Sequence, residues 1–347
     1  MISDHNHPII HMVGSIPLDD AESVFRTLGG RVGQHMQRIP DGETGRRQRW
    51  ISFINDGLKA NPAFEYDKSI PPFQFTQYDG KVVYEIDRLK FVDGVDPTTV
   101  TFETGYADDA IRNFPVFDRL QADGTIPTGV KYQLCMATPL AIAYNFMAPS
   151  VYEPFIECYT AHLAEEFRRI AEALPHNRIS YQWDVCQEVL MWEDYYDQFP
   201  GYQDQIFSVL GRIGNMVPAD MDVGYHLCYG SPKDEHMLLP KDMTNLVDIA
   251  NGIVKAVSRP VQYIHMPVPK DRNDDDYFKP LTGLKLSDAT ALYLGLIHVG
   301  DAAASAGKLK TANKYAKISG IATECGMGRG DPAKFEPILD DYLSVVG

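Results

Sequence analysis

Short apolar runs alternate with long amphipathic stretches along most of this chain. Runs at 8–13, 37–40, 130–137, 178–185, 221–228, 260–266, 293–299 and 319–325 have the length and residue types of buried strands. Stretches at 19–34, 154–174, 202–216, 243–256, 308–317 and 334–345 repeat apolar residues at helical spacing, and a shorter helix is expected at 286–291. Gly14-Ser15-Ile16-Pro17 and Thr138-Pro139 read as turns. Between about 53 and 128 the pattern is irregular, rich in aromatics and turn residues, with one helix near 108–121.

Eight strands alternating with helices imply a parallel sheet and suit a closed barrel. The expected fold is therefore α/β, a single (β/α)8 TIM barrel over 1–347 with an elaborated excursion between strands 2 and 3. An open doubly wound sheet is the alternative. No G-x-G-x-x-G loop follows an early strand, which weighs against a dinucleotide fold. A structureless stretch as long as 53–128 is usually a functional cover in a compact domain.

In such a barrel the chemistry sits at the C-terminal ends of the strands, and the unusual polar residues fall there. They are Ser15 after the first strand, Asp41 and Glu43 after the second, Thr138 after the third, Asp184 in the fourth, His226 and Cys228 in the fifth, His265 in the sixth, His298 and Asp301 at the seventh, and Cys325 in the eighth. His226 and Cys228 are two apart on a strand, so both point to one face. Imidazole and thiolate are good zinc ligands. If the fold brings Cys325 to them, three ligands converge and a zinc enzyme follows. With ten histidines and five cysteines in 347 residues, a His-x-Cys triplet arises by chance in roughly one such chain in seven. Each residue also has a plainer reading. Cys228 and Cys325 suit small buried hydrophobes, as do Cys135, Cys158 and Cys186, and Asp184 suits a helix cap. These readings leave unexplained why so many ligand-capable groups share one rim.

The formal charge of −15 argues against a nucleic-acid partner or an anionic membrane surface. No basic region followed by an apolar stretch opens the sequence, and no apolar run is long enough for a bilayer. A cytoplasmic protein with reduced thiols is expected. The partners expected are small molecules; the oligomeric state is not encoded legibly.

Val13-Gly14-Ser15-Ile16-Pro17, His226-x-Cys228 and Cys325-Gly326 together resemble the catalytic barrel of cobalamin-independent methionine synthase. Gln182-x-Asp184 is similar to that family's strand-four segment, and Asp41-Gly42-Glu43 to its short single-barrel members. The resemblance runs over nearly the whole chain, patchily between motifs. The full-length synthases carry a second, N-terminal barrel not seen here. Related epoxyalkane:coenzyme M transferases share the zinc pattern, and the wider superfamily includes metal-free uroporphyrinogen decarboxylases. The resemblance implies Zn²⁺ on His226, Cys228 and Cys325, with Ser15, Glu43 and Asp184 holding the polar end of an amino-acid-like thiol. Where the family places a glutamate ligand at strand six, this chain has His265, which either takes that role or leaves the position open. His298 stands near where the family tends to carry an aspartate. Asp184 and His298 are thus the candidate catalytic groups.

The implied activity is a methyl or alkyl transfer to a thiol, from a donor the residues do not identify. A zinc lyase or hydrolase using metal-bound water, with Asp184 or Glu43 as general base, is an alternative. So are a metal-free decarboxylase-like barrel and a metal- or thiol-binding protein without turnover.

Overall fold

The computed structural model describes residues 7–232 and 236–347. Its centre is a curled, all-parallel sheet of eight strands, β1 (Ile9–Ile10), β2 (Arg38–Pro40), β7 (Lys131–Ala137), β8 (Ile179–Val185), β9 (Asp222–Leu227), β10 (Tyr263–Pro267), β11 (Ala291–Ile297) and β12 (Gly320–Thr323). Their order is β1-β12-β11-β10-β9-β8-β7-β2, so the two edges are the first and second strands in sequence. The Ile16 N–H donates to the Gly42 carbonyl at 2.8 Å, tying the loops that leave those two edges.

Helices follow the strands and cover the sheet: α1 (Ala21–Arg31), α4 (Pro139–Phe146), α5 (Tyr152–Ala173), α6 (Gln187–Trp192), α7 (Tyr202–Met216), α8 (Thr244–Ala256), α9 (Asp275–Phe278), α10 (Ala302–Ala312) and α11 (Phe335–Val346). The packing of α5 shows why the pattern folds this way. Phe155, Tyr159, Leu163, Phe167 and Ile170 recur at intervals of three and four and are buried. Phe167 sets its ring 4.7 Å from Tyr181 and 5.4 Å from Trp183, on the outer face of β8. Alternate residues of the same strand, Ser180, Gln182 and Asp184, take the opposite face.

That inner face is packed with polar side chains, several of which pair with one another. His11 Nε2 meets Gln182 Oε1 at 3.0 Å, and the Tyr263 hydroxyl donates to the same oxygen at 3.2 Å. Arg38 donates to the Tyr293 hydroxyl at 2.9 Å and lies 4.3 Å over the Tyr263 ring. Ile9, Tyr263 and Tyr293 form a small apolar plug of their own. Glycines face the largest rings. A Cβ on Gly224 would overlap Tyr263, and one on Gly320 would press on Tyr293.

Several local expectations change. The 286–291 stretch is not helical; it turns through a Thr290 N–H to Ser287 carbonyl bond, and the helical turns lie earlier, in α9 and the 3-10 segment Lys279–Gly283. Asp274 supplies the α9 cap by accepting from the Tyr277 N–H. Thr138-Pro139 does not turn the chain but starts α4, with Thr138 capping the Ala141 N–H and Pro139 in the first turn.

Between β2 and β7 the chain forms α2 (Ser52–Ala60), β3 (Phe64–Tyr66), β4 (Phe73–Thr76), β5 (Val82–Ile86), β6 (Leu89–Phe91) and α3 (Tyr106–Ala122). β4 and β5 make an antiparallel hairpin, and β3 pairs with β6. Phe73 stacks on Tyr196 at 5.3 Å, and the Tyr195 hydroxyl accepts from the Thr76 N–H at 2.7 Å. Tyr195 and Tyr196, just after α6, thus hold the hairpin, whereas the Trp192 ring packs on Tyr202 and Phe207.

Candidate metal centre and its cavity

The strand register delivers the ligand-capable groups. Asp184 of β8 is paired with His226 of β9, and His226 with His265 of β10. The Cys228 N–H extends this alignment by donating to the Val185 carbonyl at 3.0 Å. Cys325 follows β12, where the 326–328 loop folds onto the loop after β1. The Met327 N–H donates to the Ser15 carbonyl at 2.7 Å, and the Gly328 N–H to the Ser15 hydroxyl at 3.2 Å. A side chain on Gly326 would strike Ser15, so glycine is required for this close approach.

The result is a cluster in which one ligand atom each of His226, Cys228 and Cys325 lies within 4.8 Å of the others. The two sulfurs are 3.5 Å apart. Two thiolates sharing a tetrahedral zinc at about 2.3 Å would stand about 3.8 Å apart, so little movement separates this arrangement from a ligand set. His226 Nε2 is buried and meets no oxygen or nitrogen partner, with the Cys325 sulfur as its polar neighbour. A buried nitrogen so weakly satisfied is costly, and one beside two sulfurs fits a zinc ion. Among the described residues this is the single group of three or more such side chains with metal-binding spacing.

The cluster forms part of the floor of a cavity of about 700 Å³. Glu43, Asp184 and Ser15 share its lining, as do Trp50, Phe146 and Leu190. The hairpin contributes Phe75 and Tyr84, stacked at 4.4 Å. Glu43 reaches the cavity because its loop is pinned from below. Asp41 accepts from the Glu43 N–H at 3.0 Å and from Asn113 at 2.9 Å, and is ion-paired with Arg47. Gly42, Glu43 and Gly45 all have positive φ. Trp50, also at positive φ (54°), places its indole on the Asp184 carboxylate, which accepts from Gln182 at 2.9 Å too. Two non-glycine residues in this strained region beside one cavity are a mark of a functional site.

Burial pushes the Glu43 carboxyl up to about 7 against the pull of Arg47, and burial together with the Glu43 charge holds Asp184 well above the usual carboxylate range. Below its ordinary 4.5, Glu43 is protonated folded or unfolded; between 4.5 and about 7 the folded protein keeps a proton that the unfolded chain releases. Its contribution to stability therefore falls as pH rises through that window. Glu43→Gln is expected to flatten the fall, measured by urea unfolding at pH 5 and pH 8; an unchanged slope would assign it to other groups.

Two expected site residues stand apart from the cluster. His265 is not within ligand spacing of the sulfurs; it lies behind His226, with the two Nδ1 atoms 2.6 Å apart. His298 does not line the cavity. It faces Glu324 at 3.5 Å, and Glu324 also pairs with His236. Burial lowers His298 to about 4. The physical reason is placement: His298 follows the end of β11, and its ring meets Glu324, the residue before Cys325, and not the cavity.

Two participants were not expected. Arg329 donates to Cys325 Sγ at 3.3 Å and to the Ser231 carbonyl at 3.3 Å, placing a guanidinium beside the sulfurs. Cys186, read as structural, lines the cavity with its thiol against Cys228, and this neighbour is the main cause that raises the Cys228 thiol. Its signal lay in the register, because Val185 pairs with Leu227 and the next residues are Cys186 and Cys228. A larger groove of about 890 Å³ runs along α3 and α5, away from this chemistry.

No protein-family model matches the chain, and no curated protein matches it. Solved structures do. A B12-independent methionine synthase from Shewanella sp. W3-18-1, in complex with selenomethionine, aligns with a TM-score of 0.65 at 14% identity, covering 98% of this chain and 97% of that one. A chain from Listeria monocytogenes, provisionally described as a vitamin-B12-independent methionine synthase, gives 0.59 at 14% identity over 98% and 97%. A methyltransferase from Methanosarcina mazei gives 0.55 at 9% over 98% and 94%. At these identities the likeness is one of architecture, and it extends over almost the full length of each chain. The protein therefore has the fold of the B12-independent methionine synthases and of the methyltransferase that shares it.

Proposed function

We propose that this protein is a zinc-dependent methyl or alkyl transferase whose acceptor is a small thiol. The observation that carries the reading is the convergence of His226, Cys228 and Cys325, with an imidazole nitrogen that meets no oxygen or nitrogen partner, at the floor of a cavity. The fold shared with methionine synthases supports it. Zn²⁺ held by these three residues would lower the pKa of a substrate thiol and present it as a nucleophile.

The chain's own groups do the rest. The 3.5 Å separation of the cluster sulfurs suits two donors to one ion. Glu43 and Asp184 form a buried acidic pair suited to the ammonium of an amino-acid-like thiol. The Ser15 hydroxyl accepts from the Gly328 N–H, leaving its own proton to donate to the substrate. Arg329 offsets negative charge beside Cys325. The Phe75–Tyr84 pair forms an aromatic wall of the cavity. Asp184 keeps its place in this reading, whereas His298, which faces Glu324, does not. The same reading takes 1–347 as one (β/α)8 barrel domain, closed between β1 and β2, with the segment at about 53–128 as its cover.

Purified protein is expected to hold about one zinc per chain and to turn over only with a thiol present, assayed against a methyl-folate, a methylated corrinoid protein, an epoxide and a sulfonium. Turnover without metal would favour a decarboxylase-like activity, and turnover without thiol a hydrolase. The uptake itself has a signature. The Cys186 thiol and burial hold Cys228 protonated; the Cys228 contact and burial do the same for Cys325; burial lowers His226 to about 4. At pH 7 the imidazole is already neutral and both thiols are not yet ionised. Adding zinc to metal-free protein in weak buffer should release about two protons per ion. A value near zero would show that the thiols are not the ligands.

A further inference from the structure

His265 stands beside His226 in the β9–β10 pairing, fully buried. The rings are 4.7 Å apart between centroids, and their Nδ1 atoms face each other at 2.6 Å. Two ring nitrogens that close need one proton between them, and neutral imidazoles offer two ways to supply it. Either His226 carries hydrogen on Nδ1 and leaves Nε2 bare, or His265 carries it and His226 is protonated at Nε2.

The surroundings favour the first arrangement. With its Nδ1 engaged, His265 has only Nε2 left; that nitrogen is buried and short of a full hydrogen bond, and the nearby Thr323 carbonyl, an oxygen acceptor, favours a proton on it. Gly295 marks the spot, since a Cβ there would touch both the Thr323 oxygen and His265 Nε2. A hydrogen on His226 Nε2 would be buried with no oxygen or nitrogen to accept it and only the Cys325 sulfur, a weak acceptor, beside it. A lone pair there faces Cys228 and Cys325.

We propose that His265 is a positioning residue and not a zinc ligand: by accepting the Nδ1 proton of His226 it locks that imidazole in the tautomer whose Nε2 binds the metal. The inference rests on the zinc reading above. Metal-bound histidines generally donate their second ring N–H to an oxygen acceptor, and loss of such a partner lowers affinity by about 10- to 100-fold. Here the acceptor is a neutral imidazole, so His226 remains an uncharged donor and the two thiolates alone balance the dication.

The test compares the wild type with His265→Leu and His265→Gln. Leucine fills the space without an acceptor. Glutamine offers a carbonyl to His226 and an N–H to Thr323. Zinc affinity is measured by competition with a chromophoric chelator, and the ligand field by the absorption of the cobalt(II) forms. The leucine variant should bind zinc about 10- to 100-fold more weakly with an altered cobalt spectrum, and glutamine should restore most of both. X-ray absorption at the zinc edge of the wild type, which needs no variant to fold, should count one imidazole and two protein sulfurs. Two imidazoles, a leucine variant that binds as tightly as wild type, or a glutamine variant as weak as leucine would each overturn the proposal. Wild-type protein that takes up no zinc would instead overturn the functional reading beneath it.

Discussion

Cys325→Ser is expected to abolish stoichiometric zinc and thiol-dependent turnover together. The substitution removes one of the two sulfurs of the cluster, 3.5 Å from the other; the Cys186 thiol touches Cys228 but is not within ligand spacing of the whole set. A hydroxyl stays protonated where a thiol ionises on zinc, so the site would keep one anionic ligand instead of two. Loss of a direct ligand should exceed the roughly 100-fold upper range for outer partners. Competition titration with a chelator measures it. Circular dichroism should be unchanged, because Cys325 is only partly buried and its loop is held by backbone bonds to Ser15. Tight zinc binding by the variant would remove Cys325 from the ligand set and with it the proposed chemistry.

Gly224→Ala should destabilise the fold by about 1–3 kcal/mol, toward the upper end of the range for overpacking. The new methyl would overlap the Tyr263 ring. That ring has little freedom to yield: it stacks on Tyr293 at 5.1 Å, lies under Arg38, and donates its hydroxyl to Gln182. Gly224 and His226 share a face of β9, so strain here would reach the proposed ligand two residues on. The drop would be read from urea unfolding midpoints at pH 7. A variant as stable as wild type would mean that the interior rings repack freely and that the His226 geometry is less constrained than its neighbours imply.

The parts of this architecture that follow from periodicity were legible beforehand. Strand alternation alone puts His226 and Cys228 on one face, and the position of Cys325 at the last strand end brings it to the same rim. The helices α4 and α6 were missed because each starts hard against a strand end, where Thr138-Pro139 serves as readily for a turn as for a cap. His265 and His298 both carry the right chemistry at the right strand ends, yet ring direction depends on neighbours that periodicity does not encode. Arg329 could not be found by such reasoning, since its contact with Cys325 depends on how a glycine-rich loop folds back over Ser15. The hairpin within 53–128 was equally opaque. Its pairing partners lie within the segment, but Tyr195 and Tyr196, which hold it, arrive more than a hundred residues later.

The proposed ligands come from the end of β9 and from just after β12, with Cys228 and Cys325 ninety-seven positions apart. A ribosome that has released only the first three hundred residues has delivered an imidazole and one sulfur, a bidentate fragment with little hold on a dication. On the proposed zinc reading, metal capture would be a late event in biogenesis, and a chain that had acquired the ion would have brought its last strand into place.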